Sequence, residues 1–570
     1  MMPDTIAKET EWPARAWIMA GVGSLAGLAV HLLIDKLHYG TPVSGETLFR
    51  QAAAAGVIVA TLSFLLTAER VRLSWSIAFA IIWGAVVALV GYSTGGYNRA
   101  GELGEFSFFA SLLAVGIAAP LFQAMRDEGR RALPYEKVHG YAWTDAIIGA
   151  ASMAFTGLTF ILLFLLGSLF DAIGIDLLKE LLREGWFGWM VAGAAFGAAS
   201  AVLRERAPLL GTLQRLVMLV FSVLAPVLAF ALGVYLVALP ITGFGGLWKS
   251  GLPETPLLLS AAGFCFVFLN AIIGDSPDDR KPGRLWRATE IVLLFAVLPL
   301  GILAMVSMSL RVGQYGWTPE RLWGVIASAV AIAFGIANWL SVVRQRGAFD
   351  VALREYQKWL AAGLCGVALF LALPIVDFGA VSTRSQLARL EGGKVKSAEF
   401  DWTALAFDFG PAGRRALERL KRTGDAEQKL LAGEALAGTN RYAMDRLQET
   451  ATSAVKIRDK VRLLSPDIVL DEALLRQIAV IGNCTEDAQC ALQRVSPNRL
   501  LLISVRGKAR VVSTRLLDPE ARSEDYFVDE PDDTPKNPEG VDLNSATIEL
   551  RPVTRRQLYV NGQPVGDTVE

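Results

Sequence analysis

Few side chains in this chain have the type and spacing to do chemistry. His31 and Asp35 stand four residues apart, so one helix face would carry both, the arrangement of a proton relay. Asn270, Glu290 and Asn338 each fall in an otherwise apolar run, where a polar group is costly and suggests an ion or substrate path. Asp401 and Asp408 form a carboxylate pair of the kind used in acid–base catalysis. Glu102, Glu105, Asp171, Asp176 and Glu254 lie between apolar runs, where an enzyme acting on lipid-linked substrates would place acids. A plainer reading stands beside each. The His31/Asp35 pair, with His38 and Tyr39, suits a polar helix end at headgroup level. Asn270, Glu290 and Asn338 sit toward the ends of their runs, within reach of water and loops. Asp401 and Asp408, with no nucleophile or metal ligand nearby, suit turns or helix caps.

No phosphate loop ending in Lys-Ser/Thr occurs, and no His-Glu-x-x-His, Cys-x-x-Cys or Gly-x-Ser-x-Gly. An ATP-driven pump and a zinc protease are disfavoured, and no cofactor or metal is expected. The acidic turn Gly274-Asp275-Ser276-Pro277-Asp278-Asp279 reads as solvated. With 55 basic and 55 acidic residues the net charge is zero, and no global field draws the chain to nucleic acid. Cys265 and Cys365 read as small buried apolar residues. Cys484 and Cys490 bracket Thr-Glu-Asp-Ala-Gln, a short polar loop that a disulfide would close, and disulfides persist in oxidising compartments.

The elements that must position these residues are mostly membrane spans. The chain is 53% hydrophobic and only 19% charged, with a mean hydropathy of +0.40, and its apolar residues lie in blocks up to Pro374. Crossing a bilayer takes roughly twenty apolar residues in a helix. The sequence predicts about eleven transmembrane helices: 16–34, 52–67, 74–92, 106–124, 146–170, 186–203, 216–241, 256–274, 290–310, 322–343 and 359–375. The second and sixth are short and Ala/Gly-rich. Gly23/Gly27 and Gly193/Gly197 read as small-residue faces where helices approach closely; such faces permit a homo-oligomer without demonstrating one. Lys and Arg fall about nineteen to about eight on alternate loops, which predicts a cytoplasmic N-terminus. An odd number of spans then exports the C-terminal region.

The expected fold class is mostly α: a polytopic membrane bundle over residues 1–376 and an extracytoplasmic α+β region. Residues 377–464 read as a helical linker, with helices over 382–390, 411–421, 425–436 and 441–460. Residues 465–570 read as a small α+β domain with an antiparallel sheet. There, 471–480 follows Pro466 as a helix, and strands are expected over 500–505, 509–516, 547–550, 557–560 and 563–565. Asn561-Gly562 signals a hairpin, and 518–539 is an acidic, proline-dotted loop.

Two passages resemble a known family. Tyr315-Gly316-Trp317-Thr318-Pro319-Glu320-Arg321 opens the tenth span. The second passage runs from Ser385-Gln386-Leu387-Ala388-Arg389-Leu390 through Phe400-Asp401-Trp402 and Phe407-Asp408-Phe409-Gly410 to Ala416-Leu417-Glu418-Arg419-Leu420. This is similar to the bacterial membrane proteins catalogued as domain of unknown function 4153, over roughly residues 210–420. The resemblance implies the topology and supplies no catalytic residue.

Three functions compete. The one carried forward is a non-catalytic inner-membrane protein of the cell envelope, with the bilayer around it, whose exported domain binds a periplasmic or membrane partner or senses the periplasm. The second is a transporter or flippase, in which Ala225-Pro226 and Leu239-Pro240 mark broken helices. The third is a membrane-embedded enzyme on lipid-linked substrates.

Overall fold

The computed structural model describes residues 12, 14–35, 44–94, 101–128, 133–243, 253–274, 280–345 and 349–438, then 461–471, 474–475, 478, 484, 489–496, 499–506, 511–517, 556–560 and 563–569. The expected helix over 441–460, the strand over 547–550, the acidic loop over 518–539, Asn561-Gly562 and the acidic turn over 275–279 lie outside the described residues. The chain divides into two compact units, Met1–Leu436 and Ala437–Glu570.

The first unit is helical: α1 (Arg15–Ile34), α2 (Gly45–Thr67), α3 (Leu73–Ser93), α4 (Gly101–Glu128), α5 (Tyr135–Asp171), the short α6 (Leu177–Arg183), α7 (Gly185–Glu205) and α8 (Ala207–Thr242). There follow α9 (Glu254–Ile273), α10 (Arg284–Tyr315), α11 (Pro319–Gln345), α12 (Phe349–Ala372), α13 (Phe378–Glu391), α14 (Trp402–Phe407), α15 (Gly410–Thr423) and α16 (Ala426–Ala437). Ten of these, α1 to α5 and α7 to α11, are long and apolar enough to cross a membrane. The two Ala/Gly-rich runs are among them. The eleventh expected span falls on α12, whose first three turns carry Asp350, Arg354, Glu355 and Lys358. Its apolar run, Trp359 to Ala372, is shorter than an unaided crossing needs. It nevertheless follows α4 closely: Ala372 packs with Ala110, Cys365 reaches the Ala114 carbonyl at 3.4 Å, and Ala362 joins Leu121 and Ala124.

The two small-residue faces meet each other. Gly23 lies against Gly193, Gly27 against Trp189 and Gly197 against Met19, each so close that a Cβ would strike the neighbour's backbone. Without a hydrophobic driving force between helices, such contact lets dispersion hold α1 to α7.

The expected breaks at Pro226 and Pro240 are absent: α8 runs unbroken through both. A proline removes one amide donor, and a membrane helix keeps its course when neighbours satisfy the freed groups. The structure shows such a repair in α10. Pro299 cannot donate to the Phe295 carbonyl, which accepts instead from Trp339 Nε1 of α11 at 3.2 Å. Asn338 Nδ2 donates to the adjacent Leu294 carbonyl at 3.4 Å.

The expected helices near the membrane exit are present as α13, α15 and α16. Asp377 and Asp401 cap α13 and α14, accepting from Ala380 N and Ala404 N at 2.8 Å each. Trp402, Leu405, Phe409, Leu417 and Leu420 are buried where α13, α14 and α15 pack together.

The second unit holds a small mixed sheet in the order β1 (Val461–Leu463), β2 (Gln489–Ser496), β3 (Arg499–Arg506), β4 (Val511–Leu517), with a separate hairpin of β5 (Arg556–Val560) and β6 (Gln563–Val569). β1 pairs parallel to β2; the other pairs are antiparallel. β2 was not foreseen. Its buried start, Cys490-Ala491-Leu492, shows no alternation that would mark a strand. Of the helix expected over 471–480, four positions are described; Asp471 accepts from Leu474 N at 2.8 Å, a helix-start cap, and Leu474, Leu475 and Ile478 join the core.

Candidate functional site

Alternating helices bring the ends of α1 to α5 and α7 to α12 to two faces, and the polar side chains divide between them. At the first face, where α2 ends, the last carbonyls of that helix have no amide partners of their own. Three arginines from three other helices supply them. Arg204 of α7 donates to Leu66 O, Arg126 of α4 to Thr67 O, and Arg15 of α1 to Ala68 O at 2.5 Å. Positive charge at a helix C-terminus also meets the negative end of its dipole.

The arginines are neutralised locally. Glu69 pairs with Arg15 at 3.5 Å and with Arg204 at 3.2 Å, and Asp145 accepts from Arg204 Nη2 at 2.9 Å and from Gln123. Arg126 Nε meets Asp127 Oδ1 at 2.7 Å. All three guanidinium groups are nearly withdrawn from water, so removing a carboxylate partner would strand a buried charge.

A second network sits at the same face. Glu290 is bound through both carboxylate oxygens to Arg280, whose Nη1 also meets Asp350 Oδ1 at 3.0 Å. Asp350 Oδ2 accepts from Arg354 at 2.9 Å, and Arg354 caps Ile273 O at the end of α9, again at 2.9 Å. Phe349 lies beneath Arg280 and Arg287 as a cation–π floor, 4.8 and 4.5 Å from their guanidinium carbons. One turn deeper along α12, Gln357 Oε1 is 3.2 Å from the Tyr135 hydroxyl, which also reaches Asn270 Oδ1 at 2.8 Å and His139 Nδ1 at 3.1 Å. A hydroxyl has one proton, so the group is satisfied when Gln357 presents its NH2 and the imidazole its N–H.

The structure therefore brings Glu290 and Asn270 to one face, and places Asn338 one turn deeper as a backbone brace. His31 and Asp35 stand apart at the second face, 3.7 Å from each other, with Gly185 beside the imidazole. Of the five residues, only these two form the pair that sequence spacing suggested. Sequence reading missed Arg15, Arg126, Arg204, Arg280 and Arg354 as site residues, counting them only as loop charge. Their signal was available: each lies within about two turns of an apolar helix end or in the segment between two.

The second face carries the most specific family residues. α10 ends at Tyr315, and Gly316 turns the chain at φ 78°. α13 grips this turn: Ser385 Oγ accepts from Trp317 N at 3.1 Å, Gln386 Nε2 donates to Tyr315 O and Trp317 O at 2.9 Å each, and Arg389 caps Gln314 O at 2.7 Å. A Cβ on Gly316 would come within 2.7 Å of Arg389 Cδ and 3.0 Å of Gln386 Nε2. Thr318 Oγ1 accepts from Arg321 N at 3.4 Å, and Pro319 begins α11, where a missing amide costs nothing. Phe400 stacks edge-on to Trp402 at 5.0 Å below Asp401. Ion pairs at this face include Glu254–Arg311 at 2.5 Å, Lys179–Asp171 at 2.6 Å and Arg50–Glu46 at 3.0 Å.

Among the described residues no group of three or more His, Cys, Asp or Glu is placed to hold a metal. In the second unit Cys484 and Cys490 are paired at disulfide distance, their Cα atoms 6.0 Å apart, within a core that includes Ile468, Leu475, Ile478 and Leu502.

No curated protein and no solved structure matches the chain. The family model described as Domain of unknown function (DUF4153) matches residues 54–420. The match begins inside α2, far ahead of the point near residue 210 where the resemblance was first legible, and takes in both first-face networks except Arg15, together with the α13 grip. This chain is an integral membrane protein of the DUF4153 family.

Proposed function

We propose that this protein is a non-catalytic multi-pass protein of the inner, cytoplasmic membrane, with its first face in the cytoplasm. Its C-terminal unit stands in the periplasm, where it binds a partner or senses its surroundings. The observation that carries this reading is the closure of the charge networks. Every buried Asp, Glu, Arg and His of the described spans lies within about three turns of a helix end, tied to another side chain or to a helix carbonyl. A proton or ion path needs such groups at intermediate depths as well.

α12 crosses as an eleventh span in this reading, sheltered along α4, which carries the chain to the far side. The basic first face fits the cytoplasm. The Cys484–Cys490 pair fits an oxidising compartment as a structural disulfide. The transport alternative loses its broken helices, since α8 is continuous. Against the lipid-linked-enzyme alternative, Glu254 and Asp171 are each already held by a cationic partner.

The test is site-specific photocrosslinking in cells from Val469, an exposed apolar side chain of the second unit, alongside proton-flux measurements on proteoliposomes. A discrete crosslinked adduct, with flux equal to empty vesicles in wild type and Glu290→Gln, is expected. Proton-coupled flux in wild type that Glu290→Gln abolishes overturns the reading in favour of transport.

A further inference from the structure

We propose that the second-face end of α5, with α6, seats the headgroup of an aminophospholipid, the ammonium on Asp171 and Asp176 and the phosphate on Arg183. This requires only that α5 crosses a bilayer, and holds whichever compartment the second face meets.

α5 is 37 residues long, about 55 Å, and little of its apolar stretch is buried inside the protein. Leu158, Ile161, Leu162, Leu165 and Leu169 are exposed along it, so acyl chains must cover this helix. Its first turns are taken up by the first-face network, which sets Asp171 at the opposite bilayer boundary. There the chain turns back through Gly174, at φ 82°, into α6.

Between α5 and α6 lies an open cavity of about 260 Å³, of headgroup size. Phe164, Gly167 and Leu182 form its apolar wall; Asp171, Lys179 and Arg183 form its polar wall. A slot that is apolar toward the acyl chains and charged toward the water matches the two ends of a phospholipid.

The charges specify the headgroup further. Lys179 Nζ is bound to Asp171 at 2.6 Å, whereas Arg183 has no ion pair or hydrogen bond among the described residues. Arg183 is thus the cation open to a phosphate, which guanidinium binds in a fork. Asp176 is hydrogen-bonded to Asp171, and that contact pushes its pKa upward. An ammonium against both carboxylates would offset their mutual repulsion. A primary ammonium donates three hydrogen bonds and a quaternary one none, so ethanolamine lipids are favoured over choline lipids. Asp171 and Asp176 balance Lys179 and Arg183, which suits a zwitterionic headgroup over one whose only charge is negative.

The test is native mass spectrometry of the full-length protein released from micelles holding equal amounts of phosphatidylethanolamine, phosphatidylcholine and phosphatidylglycerol. The expected result is retention of phosphatidylethanolamine about tenfold above each of the others, the scale of one charge-assisted hydrogen bond. Arg183→Ala and Asp176→Asn should each erase the preference, with Arg183→Lys retaining most of it. Equal retention of the three lipids, or preferential retention of phosphatidylglycerol or phosphatidylcholine, overturns the proposal. So does a preference that survives both substitutions. The wild-type competition needs no substitution, so a variant that fails to fold leaves the proposal open to refutation.

Discussion

The two faces of the bundle meet the same requirement by different means. Where a helix ends, its last carbonyls need donors. At the first face α2 receives them from Arg15, Arg126 and Arg204, and α9 from Arg354, each carried by another helix and balanced by a carboxylate nearby. At the second face α10 receives them from Gln386 and Arg389, on a helix that follows the last apolar run, and from Arg321 at the start of α11. The first solution welds helices together with charge. The second docks a separate helical layer on the bundle through a shaped backbone turn. Charge at the first face is therefore structural: the arginines counted as loop charge also hold the helix ends.

The substitution with the largest expected effect breaks the first face. Arg204→Ala leaves Leu66 O and Asp145 without their shared donor, a loss of about 3–5 kcal/mol on the scale of broken buried ion pairs. The check is thermal unfolding of the purified protein in detergent. An unchanged midpoint would mean that the guanidinium cap carries no stability.

Gly316→Val breaks the second face instead. It strains a left-handed turn and drives a side chain into Arg389 and Gln386, at about 1–3 kcal/mol. The comparison predicts that the cost falls on docking more than on the bundle. Limited proteolysis should cut between α12 and α13 in this variant while the membrane core still resists; a uniform loss of resistance would show the faces to be one cooperative unit.

Asp35→Asn is the smallest change. The His31–Asp35 contact is long and its carboxylate is well exposed, so the expected effect is under about 0.5 kcal/mol. An effect as large as that of Arg204→Ala would restore this pair as a functional site.

Which parts were legible follows from range. The spans were legible because twenty apolar residues declare themselves locally, even the Gly/Ala-rich α2 and α7. Gly23, Gly27, Gly193 and Gly197 were legible as close-contact faces, but their meeting one another is a tertiary fact that no single run contains. Pro226 and Pro240 misled, because a proline's effect depends on what surrounds the freed carbonyl, as Trp339 shows for Pro299. The same holds for the candidate site. Glu290 and Asn270 stood out as polar residues in apolar runs, while their partners Arg280, Asp350 and Tyr135 lie in segments where polarity is unremarked. Asp401, read as a cap, is one.

The central claim, that the two faces look into different compartments with the C-terminal unit beyond the second, is tested by paired reporter fusions. Alkaline phosphatase and a fluorescent protein that matures only in the cytoplasm would be fused after Glu570 and, separately, after Gln345. The account predicts active phosphatase with a dark fluorescent partner at Glu570, and the reverse at Gln345. Fluorescence with inactive phosphatase at Glu570 would contradict it, placing both units on the side of the first face.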